Sequence, residues 1–439
     1  MNVNMLTVQQ IEAYNIVKNR DCLFLTGSPG TGKSYTLKKI IEYLNDENIK
    51  YGVTALTGAA AILIKGQTLH SFLGIYKGDD TVDNLYNKLL NKKKKLNILK
   101  ELQTLIIDEI SMMDSKLFEK ISLYLSKIKN NNKPFGNIQL ILIGDFCQLP
   151  PINGLYCFQS KLWNKIEMKK IELIKSMRHK DDILFQKILN KIRIGKISQN
   201  TYNILLNLTN TKFDNIIPTK LYCLNVDVNK INKNHFNIQY CINNNVNLFD
   251  DLLEKHILNN TIECYPALNI ENEINKEEFD INSVYTYNFS SNNKKIKKED
   301  YTISLIKNAQ VMITRNINIE NGLVNGTRGY IVKLNPLYVI FCDINNKLHM
   351  IDYYRDENIN DSTFINFMPI SLAYAMSVHK SQGSTLDAIE IDASSNNFAP
   401  GQLYTAISRA KNLNSIKLIN LEKDAFIINT EVKKFYSNL

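Results

Sequence analysis

The sequence lacks any apolar run long enough to cross a lipid bilayer, which argues against an integral membrane protein. Its first ten residues are mostly polar and have neither the basic start nor the apolar core of a secretory signal. The 7 cysteines include no C-x-x-C pair, so a structural zinc site is not expected. An odd number of scattered cysteines also favours a reducing compartment. We therefore predict an intracellular protein, located in the cytoplasm, the nucleus or a viral replication site according to its host.

What the chain does contain is an excess of positive charge. Its 53 Lys and Arg against 43 Asp and Glu give a formal net charge of +10. A polyanionic partner such as nucleic acid fits this excess, because neutralising phosphates releases counterions and favours binding. A general abundance of lysine, asparagine and isoleucine, as in an AT-rich genome, is the alternative explanation. The charge by itself therefore leaves a nucleic-acid partner open.

The N-terminal half alternates between strand-like and helix-like patterns. The 439 residues of the chain suffice for about two to four domains. Tyr35–Leu44 repeats apolar residues at helical spacing. Four apolar runs have the length of strands, namely Cys22–Thr26, Tyr51–Ala55, Thr104–Ile107 and Ile138–Ile143. This alternation predicts a parallel sheet covered by helices on both faces.

Further along the chain the pattern changes. Leu73–Leu99 is polar and carries the run Lys92–Lys95, which indicates a small insertion in the first domain. Residues 240–300 are rich in asparagine and weakly periodic, so no fold is predicted for them. Leu323–Asp352 contains short β-type runs separated by turn residues, which is typical of a small antiparallel barrel. After Pro369 the alternation of strand-like and helix-like patterns returns. This order predicts a second α/β domain that is interrupted by an insert.

The glycine-rich segment Gly27–Ser34 matches the phosphate-binding pattern G-x-x-x-x-G-K-[ST] in full, between a predicted strand and a predicted helix. Glycine lets the backbone curl so that its N–H groups face phosphate oxygens, and the helix N-terminus adds partial positive charge. Lys33 is expected to reach the β- and γ-phosphates, and Ser34 to ligate Mg²⁺. The pattern in this context predicts an ATP site rather than an accidental glycine-rich turn.

Polar residues follow two further strands. The run Leu105–Ile107 ends in Asp108 and Glu109, at the sheet edge where ligands bind in open α/β sheets. Asp108 can hold the Mg²⁺ shell, and Glu109 can orient or deprotonate the attacking water. Gln148 follows another apolar strand and can contact the γ-phosphate. Alone, these residues could belong to solvated turns, but beside a complete phosphate loop they predict ATP hydrolysis.

Taken together, the motifs resemble those of superfamily-one DNA helicases of the Pif family, named for petite integration frequency. The resemblance runs over most of the chain and keeps the family's order of motifs. It rests on Leu6–Gln10, Thr54–Gly58, Thr68–Phe72, Asp108–Lys120, Lys133–Leu140, Gly144–Pro151, Met177–His179, Leu323–Gly329, Val378–Thr385 and Leu403–Ala410. The stretch Ile110–Lys120 resembles the signature that separates this family from its RecD relatives. His179 and Cys147 depart from the Gln and the aromatic residue that are common at those positions.

The resemblance implies an α/β fold with two RecA-like parallel-sheet P-loop domains. The first would span residues 1–172, with a wedge-like insertion at about 74–98. The second would comprise residues 173–239 and 366–439. Residues 240–365 would form an inserted domain that contains a small β-barrel, similar to a Src-homology-three (SH-three-like) fold.

The resemblance also implies roles for individual residues. The implied catalytic residues are Lys33, Asp108, Glu109, Gln148, Arg178 and Arg409, of which the two arginines would contact the γ-phosphate. The implied ATP-binding residues are Gln10, which would bind the adenine base, and Gly27, Ser28, Pro29, Gly30, Thr31, Gly32, Lys33, Ser34, Tyr35 and Gly383. Ser34 and Asp108 would ligate Mg²⁺. The implied DNA contacts are Thr57, Gly58, His70, Ser71, Phe72, His379, Lys380 and Ser381.

Several of these roles have plain alternatives. His70 and His379 could be structural histidines, and Phe72 could be a core residue instead of stacking on a base. Arg178 and Arg409 could form surface salt bridges. The run Lys92–Lys95 could meet duplex DNA at a fork, or it could be a solvated face.

The resulting hypothesis is an ATP-dependent DNA helicase that uses ATP and Mg²⁺ and acts as a monomeric motor on single-stranded and forked DNA. It would unwind duplex or structured DNA in replication, repair or recombination, and its 5′-to-3′ polarity is implied by the resemblance alone. Three alternatives stay open. They are a single-strand translocase that strips proteins without unwinding, a protein-remodelling P-loop ATPase and a RecD-type repair helicase.

Overall fold

The structure of the chain is a computed structural model. It describes residues 6–439 apart from 58–59, 62–63, 76–79, 153, 176–181, 214–217, 224, 244–283, 293–300, 316, 319–322, 324–326, 344–345, 359–362, 380, 383 and 396–398. Its contacts group the chain into two compact units. Unit one comprises Met1–Thr211, Val378–Gly383 and Asp392–Leu439, and unit two comprises Lys212–Ser377 and Ser384–Ile391.

Unit one contains a six-stranded parallel sheet. Its strands are β1 Cys22–Gly27, β2 Tyr51–Ala55, β3 Gln67–Thr68, β4 Thr104–Asp108, β5 Gln139–Ile143 and β6 Met168–Leu173. Their order in the sheet is β3-β2-β4-β5-β1-β6. Strand β5 is buried along its whole length, and β1 and β4 are buried at all positions but one. Strands covered on both faces read as continuous apolar runs, which is why the sequence predicted them.

The helices in the described part of the chain are short to medium in length. They are α1 Val8–Lys18, α2 Lys33–Asp46, α3 Leu69–Leu73, α4 Val82–Leu90, α5 Lys93–Glu101, α6 Ser115–Lys129, α7 Ile183–Arg193, α8 Gln199–Asn207, α9 Asn225–Asn243, α10 Gln402–Ile407 and α11 Thr430–Ser437. Helix α9 lies in unit two and the others lie in unit one. Among the described residues, no helix has the length and apolar character needed to span a membrane.

The core of unit one has a layer on each face of the sheet. Leu105 belongs to one cluster, together with Phe118 of α6 and the single tryptophan, Trp163. Ile106, the next residue on β4, belongs to the other cluster with Leu37 of α2. Successive residues of a strand point to opposite faces, so one apolar strand supplies both layers.

The predicted insertion at residues 74–98 contains two helices in its described part, α4 and most of α5. Their apolar residues are buried against the α6 side of the core, namely Leu85, Leu89, Leu96 and Leu99. Lys92, Lys93 and Lys94 are exposed. Buried leucines therefore pack this segment onto the core, although lysines surround them in the sequence.

Unit two contains parallel and antiparallel sheets. Its strands are β7 Thr219–Tyr222, β8 Tyr285–Tyr287, β9 Ser290–Ser291, β10 Ile303–Leu305, β11 Gln310–Ile313, β12 Arg328–Leu334, β13 Tyr338–Asp343, β14 Leu348–Asp352, β15 Tyr354–Asn358, β16 Thr363–Phe367, β17 Ile370–Leu372, β18 Ala375–Ser377 and β19 Ile389–Asp392, the last of which ends on a residue of unit one. A further strand, β20 Ile416–Ile419, belongs to unit one. Strand β7 pairs in parallel with β18 and β19.

The antiparallel part of unit two has a core of its own. Five strands follow the order β14-β13-β12-β11-β17, and two smaller sheets follow the orders β15-β16-β9 and β10-β8. Tyr287, Val311 and Phe341 are fully buried in one apolar cluster of this part. The predicted fold class, with two RecA-like parallel sheets and an inserted antiparallel barrel, is confirmed. The predicted domain boundaries stay predictions.

Candidate functional site

The segment Gly27–Ser34 joins β1 to α2 as a curled loop. Gly32 has a φ of 91° and stands immediately before α2, a left-handed conformation that favours glycine. The Thr31 hydroxyl donates to the Ser28 carbonyl oxygen at 2.8 Å. Lys33 Nζ donates to the carbonyl oxygens of Gly27 at 2.7 Å and Ser28 at 3.2 Å. The lysine ammonium therefore lies over the loop whose backbone N–H groups are expected to bind phosphate.

Two carboxylates stand beside this loop at the end of β4. The backbone N–H of Glu109 donates to Asp108 Oδ1 at 2.9 Å. Burial, together with the charge of Glu109, raises the pKa of Asp108 to about 7. Burial also raises the pKa of Glu109, although the charges of Lys33 and Arg409 oppose the shift. Glu109 has a φ of 55°, and a strained residue of this kind is typical of functional sites.

Asp108 fits a divalent cation. A carboxylate that burial keeps from ionising freely is a donor that a cation would stabilise in its charged form. Ser34, the other implied ligand, is exposed at the start of α2. Among the described residues, no group of three or more His, Cys, Asp and Glu side chains could hold a metal ion. Mg²⁺ is usually bound through one or two carboxylates together with substrate phosphates, so the chemistry of Asp108 and Ser34 fits this cation.

Gln148 and the segment that carries Arg409 meet in unit one. Gln148 is buried in the turn after β5. Gly401 precedes α10 with a φ of 81°, and a Cβ at this position would lie 2.2 Å from the Gln148 carbonyl oxygen. Only glycine allows so close an approach. Arg409, two residues after α10, is 3% exposed and donates to the Thr405 carbonyl oxygen at 3.1 Å. Its guanidinium also donates to Ser408 Oγ at 2.8 Å.

A buried polar network lies behind the phosphate loop, and the sequence assigned no role to its members. Asp145 is completely buried and accepts hydrogen bonds from Arg193 Nε at 3.1 Å and Nη2 at 3.2 Å. Tyr404 and Tyr436 donate their hydroxyls to the same carboxylate at 3.0 and 3.1 Å. Although burial opposes its ionisation, the Arg193 guanidinium lowers the pKa of Asp145. Arg193 Nη1 also donates to Glu172 at 2.5 Å.

The Tyr436 hydroxyl connects α11 to the start of the phosphate loop. It lies 2.7 Å from Thr26 Oγ1 and accepts from the backbone N–H of Phe146 at 3.0 Å. Its single proton goes to Asp145, which can only accept when ionised, so Thr26 is the donor in the remaining contact. The last helix of the chain is thus bonded to the residue that precedes Gly27.

Two of the predicted nucleotide contacts lie next to the loop. Gln10 accepts from the backbone N–H of Thr7 at 2.9 Å and closes the N-terminus of α1. Its amide nitrogen donates to the Gly32 carbonyl oxygen at 3.5 Å, which sets it against the phosphate loop. Tyr35 is exposed on α2, where Lys39 Nζ lies 6.0 Å from its ring centroid.

The predicted DNA contacts of the first motifs lie at the same edge of the sheet as the phosphate loop. Thr57 follows β2, and Ser71 lies on α3, directly after β3. Strand β2 is separated from β1 by β4 and β5, so the two regions are about 14 Å apart across the sheet. One sheet therefore carries the candidate ATP residues and these candidate DNA residues.

Some predicted DNA contacts have internal partners. The Phe72 ring lies over β2, because a Cβ on Gly52 would be 2.3 Å from its tip, and this favours the core alternative. Burial lowers the pKa values of His70 and His379, which disfavours charged contacts with phosphate. Ser381 is buried and its hydroxyl donates to the Val378 carbonyl oxygen at 2.7 Å. Its predicted side-chain contact would require that hydrogen bond to break.

Four predicted site residues lie outside the described residues, namely Gly58, Arg178, Lys380 and Gly383. Among the residues that sequence reasoning missed, Asp145 lies within the motif Gly144–Pro151, which was a usable signal. Arg193 and Tyr436 belong to none of the motifs, so nothing in their spacing indicated a role.

Comparison with known proteins finds helicases that are similar to this chain. The model for PIF1-like helicase matches residues 5–203, and the model for the 2B domain of DNA helicase Pif1 matches residues 303–334, which span β10 to β12. ATP-dependent DNA helicase PIF1 of Xenopus laevis is 31% identical over 447 residues, which cover 99% of this chain and 64% of that protein. The chain therefore spans somewhat less than two thirds of that relative.

A second relative is matched over a larger share of its length. ATP-dependent DNA helicase RRM3 of Saccharomyces cerevisiae is 31% identical over 505 residues, which cover 99% of this chain and 68% of that protein. The crystal structure of Pif1 helicase from Bacteroides in complex with ADP-AlF3 and ssDNA is similar, with 26% identity and a TM-score of 0.66. That match covers 99% of this chain and 97% of the crystallised one. With this extent of similarity, and with its motifs gathered at one sheet edge, the chain belongs to the family of PIF1-like helicases.

Proposed function

We propose that the protein is an ATP-dependent DNA helicase that moves along single-stranded DNA in the 5′-to-3′ direction and unwinds duplex or structured DNA. The observation that carries this proposal is the arrangement of Lys33, Glu109 and Arg409 around one phosphate loop. Candidate DNA residues at the same sheet edge add to it, and so do relatives named as ATP-dependent DNA helicases. Replication, repair and recombination are the processes that such an enzyme would serve.

Lys33 would bind the β- and γ-phosphates of ATP. Its ammonium now donates to two backbone carbonyl oxygens, and phosphate oxygens would replace these acceptors when the nucleotide enters the loop. Gln10 would bind the adenine base, and Tyr35 would also contact the nucleotide. The remaining loop residues would contribute backbone N–H groups, which bind phosphate without requiring particular side chains.

Glu109 would take the proton from the attacking water. A general base works best when its pKa lies near the working pH, and burial raises the pKa of Glu109 towards that range. Ser34 and Asp108 would hold Mg²⁺, which neutralises developing phosphate charge when it is bound. The cation would also stabilise the ionised form of Asp108.

Arg409 would stabilise the γ-phosphate during its transfer. Thr405 and Ser408 already orient its guanidinium, so little side-chain freedom is lost on binding. Gln148 would sense the same phosphate, and Arg178 would reach it from the second RecA-like domain. Loss of the γ-phosphate would remove its attraction to the two arginines. The site could then open, and this opening would move the protein along DNA.

DNA would be held without sequence readout. Thr57 and Ser71 offer hydroxyls at the sheet edge, and Gly58, His379, Lys380 and Ser381 would contribute mainly backbone contacts. Opening about ten base pairs costs on the order of 14 kcal/mol in lost stacking, so unwinding has to be coupled to ATP hydrolysis. The complex of a Bacteroides relative with ssDNA supports this partner.

The predicted domain boundaries belong to the same proposal. The first RecA-like domain would comprise residues 1–172, and the second would comprise residues 173–239 and 366–439, with the inserted domain between them. Each motor would act as a monomer, in an intracellular compartment where DNA is processed.

The test is ATP turnover with and without single-stranded DNA, followed by unwinding of duplexes that carry a 5′ or a 3′ single-stranded tail. We expect strong DNA stimulation and strand release from the 5′-tailed substrate alone. Release from the 3′-tailed substrate would overturn the polarity. DNA-stimulated turnover without strand release would favour a translocase that strips proteins, and turnover insensitive to DNA would favour a protein-remodelling ATPase.

A further inference from the structure

Gln382 contacts the carboxylate to which the proposed function gives the attacking water. Its amide Nε2 donates a hydrogen bond of 2.8 Å to Oε2 of Glu109. Gln382 is 3% exposed and lies 273 positions away from Glu109 in the sequence. The contact lies within unit one, where it joins the segment Val378–Gly383 to the end of β4.

The chemistry of the two groups fixes the orientation of the amide. An ionised carboxylate can only accept hydrogen bonds, whereas an amide donates through its nitrogen and accepts through its oxygen. A general base must be ionised to take a proton, so in the active form the nitrogen of Gln382 faces Glu109. Its oxygen, Oε1, is buried and has no hydrogen-bond partner among the described residues. A buried acceptor in this state is unfavourable until a donor reaches it, so the oxygen is suited to a donor that arrives with the substrate.

We propose that Gln382 is the positioning residue of Glu109, whose carboxylate it holds in the orientation that receives the proton of the attacking water. The inference rests on the proposed function, because it takes Glu109 as the base in ATP hydrolysis. The backbone of Glu109 is already fixed in a left-handed conformation, with a φ of 55°. The hydrogen bond from Gln382 restrains the end of the side chain as well. Because its backbone and its carboxylate are both restrained, Glu109 is pre-organised for proton transfer. Small displacements of a catalytic base lower the rate strongly.

The alternative is that Gln382 only fills space in the core, and two substitutions separate the roles. Gln382→Met keeps the length and bulk of the side chain but removes the donor. Gln382→Ala removes both the donor and the bulk. A positioning role predicts that Gln382→Met lowers turnover about as much as Gln382→Ala does. A packing role predicts that Gln382→Met stays close to wild type.

The experiment is a double-mutant cycle on kcat and KM for ATP, carried out on the full chain with and without single-stranded DNA. We expect Gln382→Ala to lower kcat about 10- to 100-fold, the effect of one hydrogen bond to a charged group. KM should stay within about threefold of wild type, because the substrate phosphates are bound by other residues. In a Glu109→Gln background, followed by single-turnover hydrolysis, the same change should have no further effect.

Gln139→Ala is the matched control. Gln139 is a buried glutamine of unit one whose amide nitrogen donates to the carbonyl oxygens of Val17 and Asp21, away from the site. This variant should melt at a lower temperature while its folded fraction keeps the wild-type kcat. If Gln382→Ala behaves like the control, or lowers kcat equally with and without Glu109, the positioning role is overturned and the helicase proposal stands. A wild-type chain without ATP turnover would overturn both.

Discussion

Replacing Arg193 by methionine should destabilise unit one strongly. Methionine keeps most of the length of the side chain but removes the guanidinium that donates to Asp145 at 3.1 and 3.2 Å and to Glu172 at 2.5 Å. Removing one partner of a buried ion pair costs about 3–5 kcal/mol, because the other charge is left buried. Asp145 keeps hydrogen bonds from Tyr404 and Tyr436, so we expect the lower end, about 3 kcal/mol.

The single tryptophan makes this loss measurable within unit one. The Trp163 ring lies 5.9 Å from that of Phe146, which follows Asp145, so its fluorescence follows the unfolding of this core. A loss of about 3 kcal/mol should lower the urea midpoint by about 1 M or more. Lys434→Met is the control, because the pair between Lys434 and Glu431 is exposed and should contribute little.

The destabilisation caused by Arg193→Met should also depend on pH. The pKa of Asp145 is lower in the folded protein than the value of about 3.9 in an unfolded chain, so ionised Asp145 stabilises the fold above that pH. This contribution is lost as the pH falls through the folded value. The difference in the free energy of unfolding between wild type and Arg193→Met should therefore be largest near neutral pH and should decrease below about pH 4.

A double variant provides the decisive comparison. Adding Asp145→Asn to Arg193→Met removes the unpaired charge, so the double variant should regain about 1–2 kcal/mol relative to Arg193→Met alone. Additive destabilisation by the two substitutions would contradict a stabilising pair between Arg193 and Asp145, and so would an unchanged midpoint of the Trp163 transition in Arg193→Met.

Four further outcomes are expected. Lys33→Ala should abolish ATP hydrolysis without changing the melting temperature, and near-normal DNA-stimulated turnover would contradict the site. Arg409→Ala should still bind a fluorescent ATP analogue but hydrolyse ATP roughly 10³-fold more slowly; unchanged turnover would make Arg409 a structural residue. Chelation of divalent cations should stop turnover, and added Mg²⁺ should restore it; turnover in excess chelator would contradict the roles of Ser34 and Asp108. Tyr436→Phe should lower the urea midpoint, because the backbone N–H of Phe146 and the carboxylate lose a partner; a wild-type midpoint would show that this hydroxyl is dispensable.

Much of the nucleotide site could be predicted because its parts are local in sequence. The runs that predicted β1, β2, β4 and β5 agree with the observed strands to within one residue at each end. The loop Gly27–Ser34 adopts a conformation for which its glycines are required. Asp108 is the last residue of β4 and Glu109 follows it, as expected. Backbone preference and apolar periodicity act over a few residues, so a single sequence reveals them.

Other assignments needed the structure because burial decides them. The sequence left open whether Phe72 stacks on a base, and its position over Gly52 favours a core role. Leu85 and Leu96 are buried in a segment that reads as polar, since lysines surround them in sequence. Arg193 ends an amphipathic helix, where an arginine is usually solvated, yet it is 9% exposed here.

By itself, the sequence predicted a site for a nucleotide phosphate beside two carboxylates, because a glycine-rich turn between a strand and a helix has few other uses. Only the tertiary structure decided which side chains support those groups. Asp145 meets Arg193 across 48 positions and Tyr436 across 291, and Gln382 reaches Glu109 across 273. A hydrogen bond forms within about 3 Å, and such proximity between distant segments arises from the packing of strands and helices, which residue spacing does not encode.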